Sequence, residues 1–326
     1  MKSISSYNKM INIKTVQYSN KNVKKEFSSK KHYKLVILII ASRAPHYDIF
    51  THSWMQYMHK FPEVKSFFLY SDETIENDLY IDEYSITYKD KESYIPGILF
   101  KTLAAKKFCQ KYLSYNYILR TNLSSFVHIP RLLKYLDEQP KKDFMCTNLE
   151  YFPLVLNDED FDKNDKCITN ILEYNKENWK KYTATLKEFF GYKTFLEKNS
   201  KFYFLAGSFY VMTNDVIDKL LYEVMDNCIL NKASIYMIPD DLAISAIVQI
   251  ESIQPYYFNG TGGYSKQCKN IENPKDYNES IFHIRNRTDL TLGNRNADVI
   301  NIVEQVRYYY DIPNFLLDED EQKETE

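Results

Sequence analysis

Two acidic residues in a row, Asp240 and Asp241, follow Pro239 and open an apolar periodic stretch, MIPDDLAISAIV at 237 to 248. A carboxylate so placed can remove the proton of a hydroxyl as that oxygen forms a new bond, the work of a general base. The same pair also suits a helix N-terminus, where the dipole favours negative charge. A second group is cationic. SIFHIRNRT at 280 to 288 alternates as a strand does, setting His283, Arg285 and Arg287 on one face. Guanidinium groups offer a planar, permanently charged fork to phosphate oxygens, although a solvated basic edge strand would read the same way. A third group is the polar turn Asn122-Leu123-Ser124, entered from the hydrophobic run YNYILR and flanked by Arg120 and Thr121. Arg120 suits either a phosphate or a carboxylate partner.

These residues need elements to hold them. The run LVILIIA at 35 to 41 is apolar throughout, so a strand over 34–41 is buried on both faces, and it ends in Ser42 and Arg43. A helix over about 47–60, a strand over 64–70 closing on Ser71 and Asp72, a short strand at 84–88, and a helix over about 95–113 with Pro96 in its first turn follow. A strand at 115–120 then runs into the polar turn. Further strands are expected at 143–149 and 203–212, the second with Gly207 inside it, where a missing side chain admits a ligand or another backbone. Helices at about 214–227, capped by Asn214, and at 240–250 complete the pattern. The alternation is that of an α/β domain, a mainly parallel sheet with helices on both faces. Residues 1–31 read as a flexible basic arm, 32–317 as one domain, 157–200 as a helical insertion or acceptor lid, and 318–326 as an acidic disordered tail.

The segments YNYILRTNLSSFV at 115–127, FYFLAGSFYVMTNDV at 202–216 and MIPDDLAISAIV, in that order, resemble the nucleotide-sugar glycosyltransferases of the GT-A fold. Within those they are similar to the β1,3-galactosyltransferase and Fringe-like group. ESYIPGILFKTLAAKKF at 92–108 resembles the group's D-S-Y-x-N-L-T-x-K-T helix at Ser93, Tyr94, Lys101 and Thr102, and Gly207 and Ser208 match a G-x-G-Y-x-x-S element whose second glycine is replaced near Phe209. The resemblance covers roughly residues 34 to 290. It implies a Rossmann-like GT-A domain that inverts at the sugar carbon, with Asp241 as the base and Asp240 at a neighbouring glutamate's position. It places the nucleotide base and ribose near Ser42, Arg43 and Asp72. Lys101, Arg120, Thr121, Gly207, Ser208, His283, Arg285 and Arg287 then fall on the donor side.

One departure bears on cofactors. Where the group carries an Asp-x-Asp turn for a divalent metal, this chain has Asn122, Leu123 and Ser124. Neutral oxygens hold Mg²⁺ or Mn²⁺ far more weakly than carboxylates do. Arginine and lysine would then neutralise the leaving diphosphate, or a weakly held Mn²⁺ or Mg²⁺ would be captured mainly through that diphosphate with Asn122, Ser124 and His283 helping, or catalysis has been lost. The implied partners are a nucleotide-sugar donor, most simply a UDP-sugar, and a saccharide or glycoconjugate acceptor. The alternative is a noncatalytic nucleotide-sugar or carbohydrate binding protein on the same scaffold.

Composition narrows the classes. A formal net charge of -2 lacks the basic footprint of a dedicated nucleic-acid binder. Five dispersed cysteines without a C-x-x-C pair point to reduced thiols rather than structural zinc. The longest apolar run is far short of the roughly 20 residues of a spanning helix, and no leader or anchor is visible, which gives the expectation of a cytoplasmic enzyme, in the host cytoplasm for a viral source. The 29 tyrosines supply candidate sugar platforms such as Tyr203, Tyr210, Tyr256 and Tyr264. The glycine-containing loop FNGTGGYSK at 258–266 reads as a flap or a phosphate-facing nest.

Overall fold

The fold is seen in a computed structural model of the 326-residue chain, which describes residues 11, 13–139, 142–146, 149–153, 176–191, 201–253, 255–257, 264–287 and 295–312. The first half holds β1 (Val16–Tyr18), α1 (Lys21–Ser28), β2 (His32–Ile40), α2 (Asp48–Met55), β3 (Val64–Ser71), β4 (Leu79–Ile81), β5 (Ser85–Tyr88), α3 (Gly97–Tyr112), β6 (Ser114–Asn122), β7 (Ser125–Val127) and α4 (Ile129–Glu138). Then come β8 (Phe144–Cys146), β9 (Leu149–Pro153), α5 (Lys176–Phe190), β10 (Lys201–Leu205), β11 (Phe209–Thr213), α6 (Asn214–Met225), α7 (Asp240–Ile250), β12 (Tyr256–Tyr257), β13 (Ser265–Cys268), β14 (His283–Asn286) and α8 (Asn296–Tyr310).

The main sheet has the order β1-β4-β5-β3-β2-β6-β11-β8-β12. β2 is parallel to both its neighbours, β3 and β6, while β11 runs antiparallel between β6 and β8. The fold is therefore α/β, with a large, mostly parallel mixed sheet flanked by helices. Alternation along β2 divides the core: Leu35, Ile37 and Ile39 face α2, α4 and α8, whereas Val36 and Leu38 face α1, α3, α6 and α7. This two-sided burial is why the strand reads as an unbroken apolar run.

The chain leaves β2 toward β3 and β5, then returns on the other side as β6. Such a reversal opens a crevice beyond the carboxyl ends of the two strands where the order switches, here Ile40 of β2 and Asn122 of β6. A second, three-stranded sheet, β13-β14-β7, rises from this edge.

Four expectations need correction. Residues 13–31, read as part of a mobile arm, carry β1 and α1. Asn20 Oδ1 caps that helix by accepting from the N–H groups of Asn22 and Val23 at 2.9 and 3.0 Å, and Val23 and Phe27, one turn apart, are buried. The strand expected over 203–212 is two strands in different sheets, because Ala206, Gly207 and Ser208 form a turn between β10 and β11. The helix expected over 47–60 ends at Met55 after a 3₁₀ turn at Pro45–Tyr47. Asn214 does not cap α6: its Oδ1 accepts from Gln110 Nε2 at 3.1 Å, and Thr213 stands at the cap position. The acidic tail, most of the 157–200 stretch and residues 258–263 of the glycine-containing loop lie outside the described residues.

Candidate active site

The edge formed by β2, β6 and the start of β11 gathers most of the residues singled out from sequence. Arg120, third from the end of β6, points to the α3 and α7 side and is 3% exposed. Its Nη2 donates to Asp240 Oδ2 at 2.9 Å and its Nη1 to Asn122 Oδ1 at 3.1 Å. The polar turn and the first residue of α7 are thus tied to one guanidinium. A buried ion pair of this kind is held by geometry and by the cost of leaving either charge buried without the other.

Asp241 is placed by the backbone. Its Oδ2 accepts from the N–H of Gly207 at 3.1 Å and its Oδ1 from the N–H of Leu242 at 3.0 Å. Both carboxylates lie in the first turn of α7, where the helix dipole favours them. Gly207 is needed for close approach: a Cβ there would stand 2.6 Å from Arg120 Nη1. On the opposite side of β6, Thr121 Oγ1 donates to the carbonyl of Ser208 at 2.8 Å, fastening the 206–208 turn to the strand. Arg120, Asn122, Gly207, Asp240 and Asp241 therefore form one contiguous group, with Thr121 and Ser208 locking it from behind.

The Asn122-Leu123-Ser124 turn is fixed from three directions. Leu123 N–H donates to Ile40 O at 3.3 Å, Trp54 Nε1 donates to Leu123 O at 2.9 Å, and Asn286 N–H donates to Ser124 O at 2.9 Å. β2, α2 and the small sheet thus all meet at this turn.

Lys101, 1% exposed, works as a clamp beside the site. Its ammonium donates to Ala41 O at 2.9 Å and pairs with Glu92 at 2.8 Å, and Glu92 also accepts from the N–H of Ser71 at 3.3 Å. The carboxyl ends of β2 and β3 are joined through it. Burial lowers the Lys101 pKa, with the Glu92 carboxylate opposing that shift.

His283 occupies a different environment from the one expected of a phosphate contact. It is 1% exposed; Nδ1 is 2.8 Å from Ser265 Oγ, Nε2 is 3.3 Å from Ser125 Oγ, and the ring packs on Phe209 at 4.7 Å. Burial, reinforced by the neighbouring Arg285 charge, pushes its pKa down to about 3, so the ring is neutral at physiological pH. His283 and Asp241 stand at the same sheet edge but on its two faces, linked by the short span from Gly207 to Phe209. Arg285 and Arg287 are half-buried, Arg285 opposite Ser125 across the β14–β7 ladder.

Ser42 and Arg43 follow β2 beside the turn. The Arg43 guanidinium lies over the Tyr70 ring at 4.7 Å and borders a cavity of about 360 Å³ lined also by Thr51, Met55, Phe68, Tyr70 and Tyr84. This hollow is on the α2 side and does not reach Asp240 or Asp241. Asp72 accepts from Thr74 Oγ1 at 2.6 Å and Thr74 N–H at 2.9 Å; those bonds hold its carboxyl below the usual range. Of the candidate platforms, Tyr210 is buried at 1% exposure and offers no face, whereas Tyr203 and Tyr256 are exposed and Tyr264 packs on Phe282 at 5.3 Å.

A resident dication does not fit these residues. Asn122 Oδ1 faces the Arg120 guanidinium, Ser124 supplies only a neutral hydroxyl, and both ring nitrogens of His283 are engaged by serines. Among the described residues there is no group of three or more His, Cys, Asp or Glu that could hold a metal. Hard dications need carboxylate charge that this turn does not supply. No helix among the described residues is long and apolar enough to cross a membrane.

Two contributors escaped the reading of the sequence. Glu92 opens the ESYIPGILFKTLAAKKF segment at the acidic position of the D-S-Y pattern but is not among the residues singled out from it; Lys101 and Ser71 converge on it. Lys106 carries a signal: it sits four residues after Thr102 in a stretch rich in buried apolar residues. No protein-family model and no curated protein matches the chain.

Proposed function

We propose that the protein is an inverting glycosyltransferase of the GT-A type, moving a sugar from a nucleotide diphosphate donor, most simply a UDP-sugar, to a saccharide or glycoconjugate hydroxyl. The observation that carries the reading is the convergence of Asp241, Asp240, Arg120, Asn122 and Gly207 at the switch point of an open α/β sheet, where such folds receive ligands. Asp241 is the base that takes the acceptor proton. Arg120, its charge met by Asp240, positions that carboxylate and Asn122 at the sheet edge; charge stabilisation of the leaving diphosphate, the largest single contribution in reactions of this kind, falls to the other arginines. Arg285 and Arg287 extend the cationic side, Arg43 and its hollow next to Tyr70 suit the nucleoside end, and His283 supports Phe209 as a neutral ring.

Asp241→Asn tests the base role. Turnover of a nucleotide-sugar found by thermal-shift screening should fall about 10²–10⁴-fold, with UDP affinity unchanged; activity near wild type would remove Asp241 from that role. A second reading, a nucleotide-sugar binding protein without transfer, draws on one observation: both Asp241 oxygens already accept backbone hydrogen bonds. Calorimetric titration of UDP with and without Mn²⁺, followed by assays of hydrolysis and transfer, separates the two.

A further inference from the structure

Charge is segregated along this chain. Residues 1–34 carry nine lysines, one glutamate and no arginine or aspartate, while the whole chain has a formal net charge of -2, so residues 35–326 hold an excess of acids. Part of that basic stretch is folded onto the body of the protein as α1. Val23 and Phe27 turn inward, Phe27 packing on Phe67 and Phe108 at 5.9 and 5.2 Å. Lys21, Lys24 and Lys25 therefore take the outer side of the helix with Ser28, and Lys30 and Lys31 follow on the turn into β2; all five lysines are exposed. The single acid of α1 is quenched: Glu26 Oε1 pairs with Lys65 at 2.8 Å and accepts from the Tyr33 hydroxyl at 3.1 Å. No carboxylate among the described residues pairs with any of the five lysines. A second carboxylate, Glu83, borders the groove that Lys31 and Lys65 also line, which leaves the outer side of α1 itself with lysines as its only charges.

Five cations on a capped helix and its following turn attract negative charge, and what this face lacks selects the partner. It has no arginine fork for a particular phosphate. Residues 20–32 expose no Phe, Tyr or Trp on which a base could stack. They also expose no apolar side chain to anchor a protein partner, because Val23 and Phe27 are both spent on the core. Lysines alone, each a mobile point charge, suit a diffuse sheet of negative charge in which the exact position of each phosphate is immaterial.

We propose that the lysine face of α1, extended by Lys30 and Lys31, docks on an anionic membrane surface through the headgroups of acidic phospholipids. The contact is electrostatic and peripheral: no apolar side chain of this face is free to insert, and no helix among the described residues is long and apolar enough to cross a bilayer. α1 leads into the amino end of β2, whereas the candidate site stands at the carboxyl end of that nine-residue strand, about 30 Å further on. Docking on this face therefore leaves the site uncovered. This inference does not depend on glycosyl transfer.

Phosphatidylcholine vesicles containing about 30% phosphatidylserine, in about 0.1 M NaCl, should carry the full chain down on sedimentation, and about 0.5 M NaCl should release it. Vesicles of phosphatidylcholine alone should leave it in solution. Each lysine removed should weaken binding about fivefold, so Lys21→Gln, Lys24→Gln and Lys25→Gln together should weaken it about a hundredfold, with Tm unchanged because these side chains face solvent. Asn22→Lys, which adds a charge beside Lys25 on the exposed side of the helix, should tighten it about fivefold. No sedimentation with the anionic vesicles, equal sedimentation with the neutral ones, undiminished binding by the triple variant, or capture of a duplex DNA in place of the vesicles would each overturn the proposal. The vesicle comparison uses the wild-type chain, so it decides even if the triple variant fails to fold.

Discussion

Arg120 shows how much one side chain can hold. It joins β6 to α7 through Asp240, to the polar turn through Asn122, and sits against the Cα of Gly207. Truncating it to methionine leaves Asp240 buried and unpaired, a loss of about 3–5 kcal/mol. Urea unfolding should register that loss, and Arg120→Met with Asp240→Leu should recover a large part of it, since removing both charges is far less harmful than removing one. Gly207→Ala should cost about 1–3 kcal/mol, because the new methyl would displace Arg120; a variant as stable as wild type would show that the arginine moves freely.

The histidines predict an acid limb. His283 is held down to about 3 and His128 to about 4, both chiefly by burial, against about 6.5 in an unfolded chain. Between those values the unfolded state binds protons that the native state does not. Stability therefore rises with pH through this window and is lost as pH falls from about 6.5, by up to about 1.4 kcal/mol per pH unit for each fully titrating histidine. Urea unfolding between pH 4.5 and 7 should show a shallower slope in His283→Gln, which keeps hydrogen-bonding capacity for Ser125 and Ser265 without titrating. An unchanged slope would show that His283 titrates normally.

At the scale of elements, the Asn122-Leu123-Ser124 turn is a junction. α2 reaches it through Trp54, the small sheet through Asn286, and α8 backs that sheet through Gln305, whose amide exchanges two 2.9 Å hydrogen bonds with the Asn286 side chain. Trp54→Phe keeps the ring volume roughly in place but removes the donor to Leu123 O. The expected cost is about 1–3 kcal/mol for the carbonyl left unsatisfied, with lower affinity for UDP if the turn receives the diphosphate. Equal UDP binding by the variant would separate the turn from the donor site. α7 shows the converse economy: an acidic first turn that any helix would favour gains its position from Arg120 on one residue and from the Gly207 amide on the next.

Across the described residues, the two core clusters lie on opposite faces of the main sheet, so the central strands carry the cooperativity. β2, buried on both faces and paired on both edges, should have the slowest amide exchange, with β3 and β6 close behind and β1 and β12 at the edges fastest. Exchange from β12 as slow as from β2 would contradict that ordering.

Much of this plan was legible without coordinates. The apolar run of β2, the acidic opening of α7 and the turn after β6 announce themselves because buried strands and helix starts constrain the residues that form them. The sequence by itself determined the α/β class, the sheet edge where Asn122 falls, and the placing of Asp240 and Asp241 in a helical first turn. Tertiary structure alone decided that Arg120 takes a carboxylate, that His283 is a neutral buried ring, that β10 and β11 belong to different sheets, and that α1 is anchored by Val23 and Phe27 in a lysine-rich stretch. The physical reason is range. Periodicity and capping act over a few neighbours in the chain, whereas a charge, a ring nitrogen or a pair of apolar residues is settled by partners well beyond that reach, 120 positions for Arg120 and Asp240 and 81 for Phe27 and Phe108 (108 less 27), brought close only when the sheet closes the distance.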